Sequence, residues 1–153
     1  MFSQTTEYAL RAMAWLALTP EVLVPTTTLA EKTKVQPHYL AKVLQQLAAA
    51  DLITGRRGVR GGYKLARAAS DITLLNVVQA VAEVKRITTC PLGLKNHGPN
   101  LCPLHRRIDA AAKAIIDLYS GITLRDLIAE PSASKPLCDE AMTAKLTISA
   151  RGG

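Results

Sequence analysis

Only three residues, Lys34 to Gln36, separate two short stretches that each carry an apolar stripe at helical spacing. The first opens at Pro25 and Thr26, turns Leu29, Ala30 and Val35 inward, and has Thr26, Thr27 or Thr28 to cap it. The second opens at Pro37, where a missing N–H costs least, and sets Tyr39, Leu40, Val43, Leu44 and Leu47 along one side. Two short helices joined by so tight a turn form a helix-turn-helix.

The flanking segments extend that unit. Residues 3–19 read as an amphipathic helix through Tyr8, Ala12, Met13 and Leu16, ended by Pro20. Beyond Ala50, Leu52 to Thr54 reads as a strand and Tyr63 to Ala66 as its return. Between them, residues 55–62 (Gly-Arg-Arg-Gly-Val-Arg-Gly-Gly) supply four glycines for a sharp exposed turn and three arginines to charge it. This is a wing. Residues 70–83 read as a helix capped by Ser70 or Thr73, 88–103 as an ordered loop, 104–120 as a longer helix, and 124–129 as a short one capped by Thr123. The tail from Pro131 reads as loose.

The expected architecture is mainly α, a winged helix-turn-helix domain with a small β-hairpin wing plus a long C-terminal dimerisation helix. It divides into the winged domain (1–69), a linking helix (70–87), a cysteine/histidine loop (88–103), the long and capping helices (104–130) and a flexible tail (131–153). Aromatic residues make up only 4% of the 153 residues, so Leu, Ala, Val and Ile must fill the core, which suits packed helices. No leader and no membrane-length apolar run is read, so the expected compartment is the cytoplasm, with reduced thiols.

A net charge of +7 favours a polyanionic partner, and the cations cluster. Arg56, Arg57, Arg60, Lys64 and Arg67 place five cations in twelve residues, suited to phosphates and to the narrow minor groove. Gln36, His38, Tyr39, Lys42 and Gln45 offer polar groups at the start and outer face of the second helix of the pair, where base edges are read. The expected partner is double-stranded DNA. No phosphate-binding glycine loop, nucleophile elbow or metalloprotease helix is present in the sequence, and an enzyme is not expected.

The segments TTEYALRAM (5–13), PHYLAKVLQQL (37–47), DLITGRRGVRGGYKLAR (51–67) and ITLLNVVQAV (72–81) together resemble the IscR/NsrR/CymR-type regulators, the Rrf-two family. The most specific piece is the wing, carried by Leu52, Arg57, Gly58, Gly61, Gly62, Tyr63 and Leu65. The resemblance implies a homodimer in which Ile108 to Tyr119 packs against a second copy, bound to a palindromic operator. It implies DNA contacts by His38, Tyr39, Lys42 and Arg57. Ala41 stands where relatives can carry an acidic, base-discriminating residue.

Cys90, His97, Cys102 and His105 fall within sixteen residues. Cys102 and His105 lie about one helical turn apart at a helix start, able to share one metal centre, and thiolate and imidazole both ligate iron–sulfur clusters and soft metals. The resemblance implies a cluster, with Cys90, Cys102 and His105 matching the first, third and trailing ligands of relatives. Asn96 and His97 stand in place of the middle cysteine, and Glu7 matches a ligand that relatives draw from the first helix of the partner subunit. A [2Fe–2S] cluster with mixed ligands is therefore expected, its fourth donor open among Glu7, His97 and Cys138. The function expected is a repressor responding to cluster state, redox or nitric oxide. The alternative is the same regulator without a cluster, answering to a thiol switch, another metal, or a protein or metabolite signal.

Overall fold

The computed structural model describes residues 3–97, 100–132, 134 and 136. Helix α1 (Gln4–Leu18) is the axis of the molecule. The Ser3 hydroxyl accepts the Thr6 N–H at 3.3 Å to cap it, and Ala9, Ala12, Met13 and Leu16 are fully buried. Helices α2 (Thr26–Thr33), α3 (Pro37–Ala49), α4 (Leu74–Val81) and α6 (Leu124–Ala129) all pack on α1. Small alanines on α1 let the neighbouring backbones approach, and Leu29, Leu40, Leu44, Leu47 and Leu124 fill the space around them.

The turn between α2 and α3 is closed by backbone alone. Lys34 adopts a left-handed conformation (φ 56°, ψ 39°), its N–H donates to Glu31 C=O, and the next N–H, of Val35, donates to Ala30 C=O at 3.1 Å. Buried Val35 then packs into the core, completing the Schellman arrangement. The same device ends α3: Asp51 is left-handed (φ 56°), and Leu52 N–H reaches Leu47 C=O at 3.1 Å. At the start of α2 the expectation of a threonine cap fails. Pro25 occupies the cap position, and no side chain caps the helix.

Strands β1 (Ile53–Arg56) and β2 (Gly62–Leu65) pair antiparallel from Ile53 opposite Leu65 to Arg56 opposite Gly62, so pairing runs further into the glycine/arginine segment than expected. The wing also pairs backward. Val24 N–H donates to Tyr63 C=O at 2.8 Å, and Tyr63 N–H returns to Val24 C=O at 2.9 Å. Both glycines before Tyr63 are steric necessities: a Cβ on Gly62 would lie 2.4 Å from the Val24 carbonyl oxygen, and one on Gly61 2.1 Å from that of Arg56.

The helix expected over 70–83 is shorter. A 3-10 turn at Ala69–Asp71 and extended Ile72 come first, and Thr73, not Ser70, caps α4 in a capping box with Asn76. Thr123 caps α6 in the same way with Asp126. The two caps lie side by side: Leu74 N–H donates to Ile122 C=O and Leu124 N–H to Ile72 C=O, both at 2.9 Å. The excursion between them holds α5 (Pro103–Ser120), which has no buried residue and packs on α4. A second tie fastens it. Arg86 Nε and Nη2 donate to Asp109 at 2.7 Å each, and Ile87 N–H donates to the same carboxylate at 2.8 Å. These bonds, the Arg86 guanidinium first, hold the Asp109 carboxyl at about 2.

Two outcomes are expected. Gly62→Ala forces backbone apart at Val24, lowering unfolding stability by about 1–3 kcal/mol, read by chemical denaturation. For Asp109 the folded-state value is depressed from 3.8 to about 2, so its contribution is complete above the unfolded value and disappears as pH falls through the folded one. Asp109→Asn should therefore lower Tm at neutral pH, with the gap to the unsubstituted protein closing as pH falls from about 4 to about 2.

Candidate nucleic-acid interface and thiol loop

The residues expected to face DNA form two exposed groups. Gln36 is the N-cap residue of α3, and His38, Tyr39 and Lys42 project from the first turns of that helix, all exposed. Leu40, Val43, Leu44 and Leu47 hold the opposite side of α3 in the core. The His38 and Tyr39 rings lie 4.1 Å apart, so the two aromatic groups at the tip restrict each other. Tyr39 and Lys42 also wall a groove of about 560 Å³ with Gln4 and Tyr8 of α1.

Arg56, Arg57 and Arg60 are exposed around the wing tip. The tip is closed by a turn in which Gly61 N–H donates to Gly58 C=O at 2.9 Å, leaving Val59 and Arg60 at its apex. Arg56 and Arg57 line a groove of about 570 Å³ that runs to Thr26 and Thr27 at the start of α2. The wing and the first turn of α2 thus share one cationic concavity, because the Val24–Tyr63 pairing lays the wing against that end of the helix. Sequence reading found the cations but not this pairing, whose one local sign is the glycine pair before Tyr63.

The thiol loop is coiled through successive turns. Gly93 N–H donates to Cys90 C=O, His97 N–H to Leu94 C=O, and Asn100 N–H to His97 C=O, at 3.0–3.1 Å. A 3-10 turn, Lys95–His97, lies within a segment expected to be loop throughout. Cys102 is the N-cap residue of α5, and its Sγ lies 3.3 Å from His105 Nδ1. Both Cys90 and Cys102 are free and half-buried.

Of the expected ligands, only Cys102 and His105 are brought into direct contact. Among the described residues no three His, Cys, Asp or Glu side chains are gathered around one point. Glu7, exposed on α1, pairs instead with Arg11 one turn on, and Arg11 Nη1 donates to the Thr33 C=O at the end of α2. Cys138 lies outside the described residues. One feature of His97 has no local sequence signal: its Nδ1 is buried with no hydrogen-bond partner, the one such side-chain atom found among the described residues. Two thiols and two imidazoles in one short loop are donor types that clusters and soft metals take, and one pair of them, Cys102 and His105, is in contact.

Among the described residues no helix is long and apolar enough to cross a membrane. The sequence profile of the Rrf2 family, described as iron-dependent transcriptional regulators, matches residues 2–130. A helix-turn-helix-type transcriptional regulator of Aquifex aeolicus is 30% identical over 131 residues, 84% of this chain and 91% of that protein. Protein aau3 of Rhizobium meliloti is 30% identical over 128 residues, covering 82% and 83%. Among solved structures, the T. potens IscR superposes with a TM-score of 0.70 at 23% identity, covering 94% of this chain and 96% of that one. CymR, the global cysteine regulator of B. subtilis, gives 0.69 at 21%, covering 86% and 98%. These likenesses fix the fold, mainly helical with one small hairpin, and the family's members are transcriptional regulators rather than enzymes. With nearly the whole described chain matched, this protein belongs to the Rrf2 family of winged helix-turn-helix, DNA-binding transcriptional regulators.

Proposed function

We propose that the protein is a homodimeric repressor that binds a palindromic operator and responds to the state of a [2Fe–2S] cluster in loop 88–103. The carrying observation is the pairing of Cys102 Sγ with His105 Nδ1 at 3.3 Å at the root of α5. It ties a metal-binding pair to the helix best suited to join two subunits. Cys90, Cys102 and His105 supply three donors. Glu7 of a second copy is the fourth expected from resemblance, and it would have to leave Arg11 to serve. The family description as iron-dependent supports this reading. Such a cluster supplies a centre that oxidants and nitric oxide attack. The chain's own part is to couple loop geometry to α5, which requires the two cluster states to favour different dimer geometries.

The dimer rests on α5. Leu104, Ile108 and Leu118 are 64%, 46% and 61% exposed, and covering a Leu or Ile side chain contributes about 1.5–3 kcal/mol. A second copy of the helix is the surface that satisfies them. In the DNA complex, Gln36, His38, Tyr39 and Lys42 read base edges in the major groove, while Arg56, Arg57 and Arg60 of the wing engage phosphates and the minor groove. A dimer then spaces two such units on a palindrome. The same thiol–imidazole contact also suits a metal-free thiol switch, since a thiol hydrogen-bonded to imidazole is poised to react. Iron content separates the two readings.

Arg57→Ala should weaken binding uniformly across sequences and flatten the salt dependence by about one phosphate contact, whereas Lys42→Ala or His38→Ala should cost about 1–3 kcal/mol on the operator and relax selectivity at one position. Titrations at several salt concentrations on operator and scrambled duplexes distinguish these. Protein purified without oxygen should contain iron and sulfide in equal amounts and absorb visible light, and Cys102→Ala should lose both. Colourless, iron-free protein with unaltered operator affinity would exclude the cluster.

A further inference from the structure

We infer that the groove between α1 and α3 seats the sugar–phosphate backbone of one DNA strand, contacted by Gln4, Thr5, Tyr8 and Gln46. This rests on the reading of α3 as the base-reading helix and adds a second line of contact beside it. The first observation is where the groove lies. Its walls include Gln4, Thr5 and Tyr8 of α1 and Tyr39, Lys42 and Gln46 of α3. Tyr39 and Lys42 also belong to the exposed face at the start of α3. Whatever lies against that face therefore lies at the rim of this groove.

The second observation is that α3 has a groove on each flank. The wing groove of about 570 Å³ touches α3 at Ala48, and the α1 groove of about 560 Å³ touches it at Gln46. Two residues turn a helix by about 200°, so the two grooves open on opposite sides of α3. A helix with its side chains is about 10–12 Å across and fills a major groove about 12 Å wide. The two strands that border the major groove then pass close to the two flanks of the helix. The wing flank carries Arg56 and Arg57 for one strand. The α1 flank is the surface left for the other.

The third observation is the chemistry of the lining. Gln4, Thr5 and Tyr8 share one face of α1 through their helical spacing, whereas Glu7 is turned to Arg11. Among the described lining residues none is acidic; the one formal charge is the Lys42 ammonium, and amides and hydroxyls supply the other polar groups. Such side chains carry many of the phosphate contacts that fix a protein on a duplex without reading its sequence. Val43, buried, and Val81 give the groove an apolar part that suits the carbon face of a deoxyribose. A free small anion would meet a single cation in an open groove. A DNA strand is brought there by every contact that α3 and the wing make.

The test uses the full chain, a palindromic duplex that it selects from random sequence, and a mixed-sequence duplex. Gln4→Ala, Tyr8→Phe and Gln46→Ala are compared with Arg57→Ala, and single phosphates on each strand are replaced by neutral methylphosphonates. Tyr8→Phe removes one hydroxyl and leaves the ring that packs on the core, so its Tm should be unchanged. Each of the three substitutions in the α1 groove should weaken binding about tenfold on both duplexes. None should change the salt dependence, since neutral donors release no counterions, whereas Arg57→Ala should flatten it. One methylphosphonate should weaken the unsubstituted protein by a similar factor and cost Tyr8→Phe nothing further. That phosphate should lie across the major groove from the strand engaged by Arg57. Full affinity in all three variants, or methylphosphonate losses that add in full to theirs at every position, would overturn the inference. A selection that enriches no palindrome overturns the operator reading alone, because the phosphate contacts are still scored on the mixed-sequence duplex.

Discussion

The paired caps of α4 and α6 are the constraint on which the arrangement of the two halves depends. Hydrogen bonds between residues 72–74 and 122–124 bring the chain back to where it left the winged domain. Everything between, the linker, the thiol loop and α5, is an excursion with both ends fixed. Loop closure of that length costs entropy that grows only slowly with length, and two capping boxes and buried Leu124 offset it. Within the excursion, the Arg86–Asp109 clamp fastens the linker to α5. The thiol loop lies between that clamp and the start of α5, so it borders two fixed points.

The reading head is rigid for a different reason. Lys34 and Asp51, both left-handed and neither glycine, end α2 and α3 respectively. A left-handed conformation costs an ordinary L-residue roughly 1–2 kcal/mol, and each is followed by an apolar residue, Val35 or Leu52, that is driven into the core. Burial of those two side chains offsets the local strain. The angle of α3 against α2 is therefore held by hydrophobic anchoring at both of its ends, leaving the exposed face free to vary in sequence.

Legibility in the sequence followed the range of the interaction. The helix pair, the wing and the long helix were readable because apolar spacing, Pro37 and the glycine/arginine run are local signals. The shortened α4 was half-readable: Thr73 with Asn76 at the third helical position is a capping signal, but Ser70 competed with it, and extended Ile72, fully buried, decided the boundary through tertiary contact. The absence of a threonine cap on α2 follows from the pairing of Val24 with Tyr63, which no window of sequence contains. The Arg86–Asp109 clamp spans 23 residues and was invisible for the same reason. At the candidate site, the residue types and their one-turn spacing gave Cys102 with His105. Glu7 matched by position alone, whereas its neighbour Arg11 engages it in the folded chain.

The close approach of Gly62 to Val24 bears on how selectivity can arise. A wing stitched by two hydrogen bonds to the segment before α2 does not have to be ordered when DNA arrives, so little conformational entropy is lost on binding. It also cannot reshape itself to follow an ill-fitting duplex. In the DNA complex proposed above, the base of the wing and α3 are set in one geometry, so the energy of a poor match falls on the DNA, which must narrow, widen or bend to meet both. Sequences that deform easily at the base pairs lying between those two contacts are then preferred, although no side chain touches them.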